Sequence, residues 1–147
     1  MDKENLLIEN LKEFNLNLTD FKRNVIFVND VFLQKLEEFE EDGPPYKDIT
    51  ENDFYKSSIY KVEELKDKIE KGLTNFTFDS AFDLYKEFTC LLQIAEEDLV
   101  FINSMLNQEI DKKSCNYCLS ELEIIKNEIN LILENLDEII AKLKNLK

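Results

Sequence analysis

Cys115 and Cys118 are separated by two residues, the spacing at which paired cysteines bind zinc or exchange disulfides. A zinc site usually needs four cysteine or histidine ligands, but the chain has no histidine and one further cysteine, Cys90. The βαβ pattern that surrounds a thioredoxin-type motif is also missing. Both cysteines continue an apolar helical stripe, so we interpret them as small core residues and predict neither a metal nor a cofactor.

Acidic residues are the other side chains that could do chemistry, and they form clusters at 37–42, 63–64, 96–98 and 137–138. A di-iron site in a helical bundle would require Glu-x-x-His pairs, which a chain without histidine cannot form. A glycosidase would require two carboxyl groups in a cleft, with different pKa values. The four runs fall opposite the apolar stripes, which predicts acidic faces in contact with solvent.

Nucleophilic catalysis lacks its usual base, because serine and cysteine nucleophiles are normally activated by histidine. The two glycines are isolated from each other, so the sequence contains no glycine-rich loop for binding phosphate. We therefore expect that the protein is not an enzyme.

Apolar residues recur every three or four positions, which predicts amphipathic helices over about 3–41, about 50–71, about 79–112 and from about 115 onward. The stripe of the first helix is heptad-like, as in a coiled coil, and runs without interruption past residues 17–20. Short connections make sequential helices antiparallel neighbours. The sequence thus predicts an all-α, antiparallel up-down helical bundle of about four helices, helix 2 short, in a single domain covering residues 1–147.

Helix-terminating and helix-capping residues set the expected boundaries of these helices. Gly43 and the two prolines after it end helix 1, Thr50 is the expected N-cap of helix 2, and Gly72 its expected C-cap. The β-branched and aromatic residues of 73–78 predict an extended connector. Helices 3 and 4 are expected to join through a short turn near 113–114.

The net charge restricts the possible partners. Thirty-two acidic and 18 basic residues give a formal charge of −14, which repels phosphate, so we expect no nucleic acid and no membrane among the partners. The longest apolar runs, such as Leu99–Ile102, are far shorter than the ~20 residues of a membrane span. An odd number of cysteines fits a reducing compartment and favours a cytoplasmic location.

A second apolar stripe, about 120° from the core stripe, appears on helices 3 and 4. Its members share this off-core position and are Ile94, Phe101, Met105, Tyr117, Ile124 and Leu131. If the two helices form a hairpin, the stripe becomes one surface for a partner, with Phe101 as its expected anchor. Alternatively, these residues belong to a wide core face. Leu16 and Phe27, opposite the core stripe of helix 1, are a smaller patch or scattered surface residues.

From these features we expect a non-catalytic acidic protein-binding module that docks a partner with a basic surface. An inhibitor, an antitoxin or an immunity-type protein would fit this description, and its acidic faces could mimic nucleic acid. The alternative is a structural helical subunit that uses the same stripe to form a homo- or hetero-oligomer. The solution mass separates the two hypotheses, because a monomer leaves the stripe free for a partner.

Overall fold

A computed structural model describes residues 2–38 and 62–146, and within these ranges the chain is an all-α bundle of four helices. They are α1 (Lys3–Glu37), α2 (Val62–Thr74), α3 (Phe78–Ser104) and α4 (Lys112–Asn145). The predicted fold class is therefore confirmed. The predicted stop at Gly43 and the predicted cap at Thr50 lie outside the described residues. No helix in the described ranges is long and apolar enough to cross a membrane.

Helix α1 is continuous through residues 17–20, as its unbroken stripe predicts, and ends at Glu37 rather than near residue 41. Asp2 caps its first turn by accepting a hydrogen bond of 2.7 Å from the Asn5 backbone N–H. The Thr19 hydroxyl donates to the Asn15 carbonyl at 2.8 Å, so this polar residue is satisfied within the helix. The polar residues of 17–20 are therefore compatible with a continuous helix.

The long helices α1 and α4 form the main packing pair of the bundle. Their apolar stripes are buried against each other, from Leu7 to Phe32 on α1 and from Cys115 to Leu143 on α4. The start of α4 lies beside the end of α1, where the Cys115 thiol is 3.6 Å from the Phe32 carbonyl oxygen. The two helices are therefore antiparallel, as the up-down topology requires.

Gly72 lies inside α2, which continues to Thr74, so its predicted role as a C-cap is wrong. A Cβ atom at this position would come within 2.7 Å of the Leu84 side chain on α3, so the glycine allows the two helices to approach closely. The connector is shorter than the predicted 73–78, because Thr77 and Ser80 form a capping box that starts α3 at Phe78.

The junction between α3 and α4 also differs from its prediction. Helix α3 ends at Ser104, and a short 3₁₀ turn, Met105–Asn107, leads into a non-helical stretch instead of a helix continuing to residue 112. The Asp111 side chain accepts a hydrogen bond of 2.7 Å from the Ser114 backbone N–H and thereby starts α4 at Lys112. The buried Met105 and Ile110 keep this junction attached to the core.

Helices α1 and α3 run in the same direction, side by side. The ring of Phe14 stacks on that of Phe88 with centroids 6.3 Å apart, and its edge meets the Tyr85 ring. Helix α2 packs against both α3 and α4 on the other side of the bundle. Cavities between α1 and α3 leave part of the surface between these two helices open.

Candidate functional site

The six residues of the predicted α3–α4 stripe do not form one exposed apolar surface. Met105 is 1% exposed and belongs to the core, against the expectation that it lies off the core stripe. Phe101, Tyr117 and Leu131 are partly buried and pack against the core, while Ile94 and Ile124 are partly exposed. A binding role for the six residues stays a prediction.

One of the predicted solvated acids is buried instead. Asp98, from the run 96–98, is 4% exposed, whereas its neighbours Glu96 and Glu97 are exposed as expected. It lies near two further buried carboxyl groups on α4, Glu121 and Glu128, that the sequence analysis did not single out. Three acids therefore occupy the interior near the interface of α3 and α4, where burying an ionised carboxyl group is costly.

Glu128 has a strongly perturbed environment within this buried cluster. Burial, together with the nearby carboxyl groups of Glu121 and Asp98, raises the pKa of Glu128 to about 8. Its Oε1 atom accepts no hydrogen bond from any described residue. A carboxyl group with this pKa is mostly protonated at neutral pH. No group of three or more histidine, cysteine or acidic side chains in the described ranges has a geometry suited to a metal ion.

The two cysteines of the Cys-x-x-Cys spacing lie in the core, each with no exposed surface. Burial raises the pKa of Cys115 to about 11 and that of Cys118 to about 12, although Lys35 opposes both shifts. Thiols with these pKa values are protonated at neutral pH and react slowly. Their position is that of small apolar core residues, whereas Cys90 is exposed.

A concave surface lies between residues 10–28 of α1 and residues 85–103 of α3, and we call it the α1/α3 groove. Three adjoining cavities of about 280, 480 and 280 Å³ follow it and share parts of their walls. On α1 it extends from Asn10 to Val28, which is about 27 Å at 1.5 Å per residue.

Heptad spacing on both helices organises the α1/α3 groove. Apolar and aromatic residues at intervals of seven form its floor, and they are Phe14, Phe21 and Val28 on α1 and Tyr85, Leu92 and Leu99 on α3. Polar residues at the same interval form its rims, and they are Asn10, Asn17 and Asn24 on α1 and Thr89, Glu96 and Asn103 on α3. Because the two helices are parallel, both patterns repeat in step along the groove.

The end of the groove is strongly apolar and open to solvent. Phe27 and Val100 line it from opposite helices and are 67% and 72% exposed. The sequence predicts Phe27 and Leu16 on the outer side of helix 1, and the exposure expected for both is confirmed. The exposure of Val100 was not predicted, although this residue lies on the side of the helix away from the buried Ala95 and Ile102.

The charge along the groove has one sign. Within the described residues, each charged side chain that lines it is acidic, namely Glu13, Asp20 and Glu96. Asp20 is 3.3 Å from the Arg23 guanidinium, but both side chains are largely exposed, so this pair is weak. The groove therefore combines an apolar floor, amide-rich rims and an acidic field.

No protein-family model matches the sequence, and comparison with curated proteins and with solved structures finds no significant similarity.

Proposed function

We propose that this chain is a non-catalytic, acidic protein-binding module that docks a partner with a basic surface. The α1/α3 groove carries the proposal, because it joins exposed apolar side chains to an acidic lining. Isolated apolar residues at a surface are ordinary, whereas Phe27 and Val100 face each other across one concave surface. Contact with a partner would remove both side chains from water.

Electrostatics supports a basic partner rather than an acidic one. The formal charge of −14 acts over the whole surface, so it speeds the encounter with a positively charged protein and repels anionic competitors. Exposed charge is screened beyond about 10 Å at about 0.1 M salt. Association with the partner should therefore weaken as the ionic strength rises.

Binding to an array of amphipathic helical peptides tests the proposal. The peptides would share one apolar face and differ stepwise in net charge from acidic to basic. We expect the bound fraction to rise with positive charge, and to fall when salt is raised from about 50 mM to about 300 mM. Binding that does not depend on peptide charge would contradict the proposal.

Oligomerisation is the alternative use of an exposed apolar surface, and sedimentation equilibrium separates it from the proposal. Two copies of a chain with a charge of −14 repel each other most strongly at low ionic strength. We expect a monomer of about 17.4 kDa at low salt. A dimer that is stable under those conditions would favour the structural subunit.

A further inference from the structure

From the heptad pattern of the α1/α3 groove we infer that its occupant is a single amphipathic helix with basic flanks. The inference deepens the proposed function and rests on it. A helix lying between two parallel helices meets two rows of side chains at intervals of seven residues, and the groove presents such rows on both walls. A helix of about 18 residues would match its length of about 27 Å.

The floor defines the apolar face of this occupant. Phe21 and Leu92 border the largest cavity, and Leu99 continues the floor to the apolar end. There Phe27 and Val100 would contact the last apolar turn of the bound helix. Leucine-sized side chains at alternating intervals of three and four residues suit such a floor, as in other helix-in-groove complexes.

The rims define the flanks of the occupant. Glu13 and Asp20 lie at an interval of seven residues on α1, and Glu96 lies on the opposite wall. Lysine or arginine on both flanks of a bound helix could therefore reach a carboxylate on either side. The asparagine amides between these acids both donate and accept hydrogen bonds, so they tolerate polar partners of either kind.

Charge also decides between this occupant and a second copy of the chain. The outer surfaces of α1, α3 and α4 carry many exposed acids, so a helix of a second copy would bring like charge to the acidic rims. The occupant that the groove fits is therefore a foreign basic helix.

The test uses a synthetic Leu/Lys amphipathic peptide of about 18 residues and the Leu/Glu peptide of the same pattern. The full chain is titrated with each by calorimetry. Replacing Phe27→Asn together with Val100→Asn keeps the net charge and changes two exposed side chains, so helical content should persist in circular dichroism. The matched control replaces Ile26→Asn and Leu33→Asn, which are exposed apolar residues of α1 outside the groove.

We expect the groove variant to bind the Leu/Lys peptide about tenfold more weakly, and the control to bind within about twofold of the parent chain. A second comparison addresses charge. Glu13→Gln with Glu96→Gln should weaken binding about threefold more than Glu134→Gln with Glu138→Gln, an equal change in net charge on the exposed face of α4.

Two results would overturn the inference, and they can be told apart. If the parent and the Phe27/Val100 variant bind the Leu/Lys peptide equally, the groove is not the binding surface, while charge-selective binding of a basic peptide by the parent still supports the proposed function. If the parent binds the Leu/Glu peptide as tightly as the Leu/Lys peptide, the proposed function fails and the groove assignment fails with it.

Discussion

Glu128 shows how burial can change the chemistry of a single residue. Its side chain is 5% exposed and lies near the carboxyl groups of Glu121 and Asp98. The folded chain therefore holds Glu128 mostly protonated at neutral pH, whereas the unfolded chain would ionise it near pH 4.5. This difference links the free energy of unfolding to pH.

We expect Glu128→Gln to change how stability depends on pH. Between about pH 4.5 and about pH 8 the folded parent retains a proton that the unfolded parent releases, so the parent loses stability as pH rises. Glutamine mimics the protonated carboxyl group and removes this loss. Urea unfolding should give a variant close to the parent at about pH 4.5 and more stable by several kcal/mol at about pH 9. Glu138→Gln, at an exposed position on α4, is the control. Parallel stability curves for the parent and Glu128→Gln would contradict the expectation.

Thiol labelling checks the environments of the three cysteines. Cys90 is exposed, whereas Cys115 and Cys118 are buried and have raised pKa values, so one thiol should react quickly in the native protein. All three should react in denaturant. In a Cys90→Ser variant, fast labelling of the folded chain should disappear. Fast native labelling of Cys115 would show that it is more accessible than the core position requires.

The burial of these side chains shows which features of the site could be predicted from the sequence and which could not. The burial of Cys115 and Cys118 follows from one helix, because both lie on its apolar stripe. The burial of Asp98 and Glu128 depends on how neighbouring helices are rotated about their axes, which the periodicity of one helix does not specify. The same rotation buries Met105, and it opens the groove on the α1 side of α3 rather than at the predicted stripe.

At the level of the helices, the apolar repeats predict the positions of the helices more accurately than glycine and capping residues predict where the helices end. The apolar stripes predict α1 and α4 well, because these helices are long and their pattern is unbroken. Gly72 was misread because glycine serves both as a helix terminator and as a site of close helix approach. The end of α3 at Ser104 was missed because Leu106 and Ile110 continue the apolar spacing after the helix itself has ended.

Core truncations test the packing of α3. Phe88 is fully buried against the α1 side, so Phe88→Ala should destabilise the fold by about 3–5 kcal/mol. Leu99 lies on the same helix but is partly exposed at the groove floor, so Leu99→Ala should cost less than about 2 kcal/mol. Urea denaturation measures both free energies of unfolding. Equal losses at the two positions would mean that the α1/α3 groove is closed in solution.

At the level of the whole molecule, the charge of −14 opposes compaction. The described ion pairs within single helices are i,i+3 pairs, and most of them join exposed partners, such as Lys12 with Glu9, which contribute little. We therefore expect added salt to stabilise the fold, with the melting temperature rising by a few degrees from about 20 mM to about 300 mM sodium chloride. Glu64→Gln with Glu138→Gln should reduce this rise. A melting temperature that falls with salt would show that attractive ion pairs dominate.

The antiparallel pairing of α1 with α4 has a consequence for biosynthesis. Residues 38–111 separate the two helices, so α1 emerges from the ribosome well before its main packing partner exists. At about 5–20 residues per second, the nascent chain spends at least several seconds with the apolar stripe of α1 uncovered. Helices α2 and α3 are close in sequence and can pair during this interval. Aggregation and chaperone binding therefore have their best opportunity before translation reaches the end of α4.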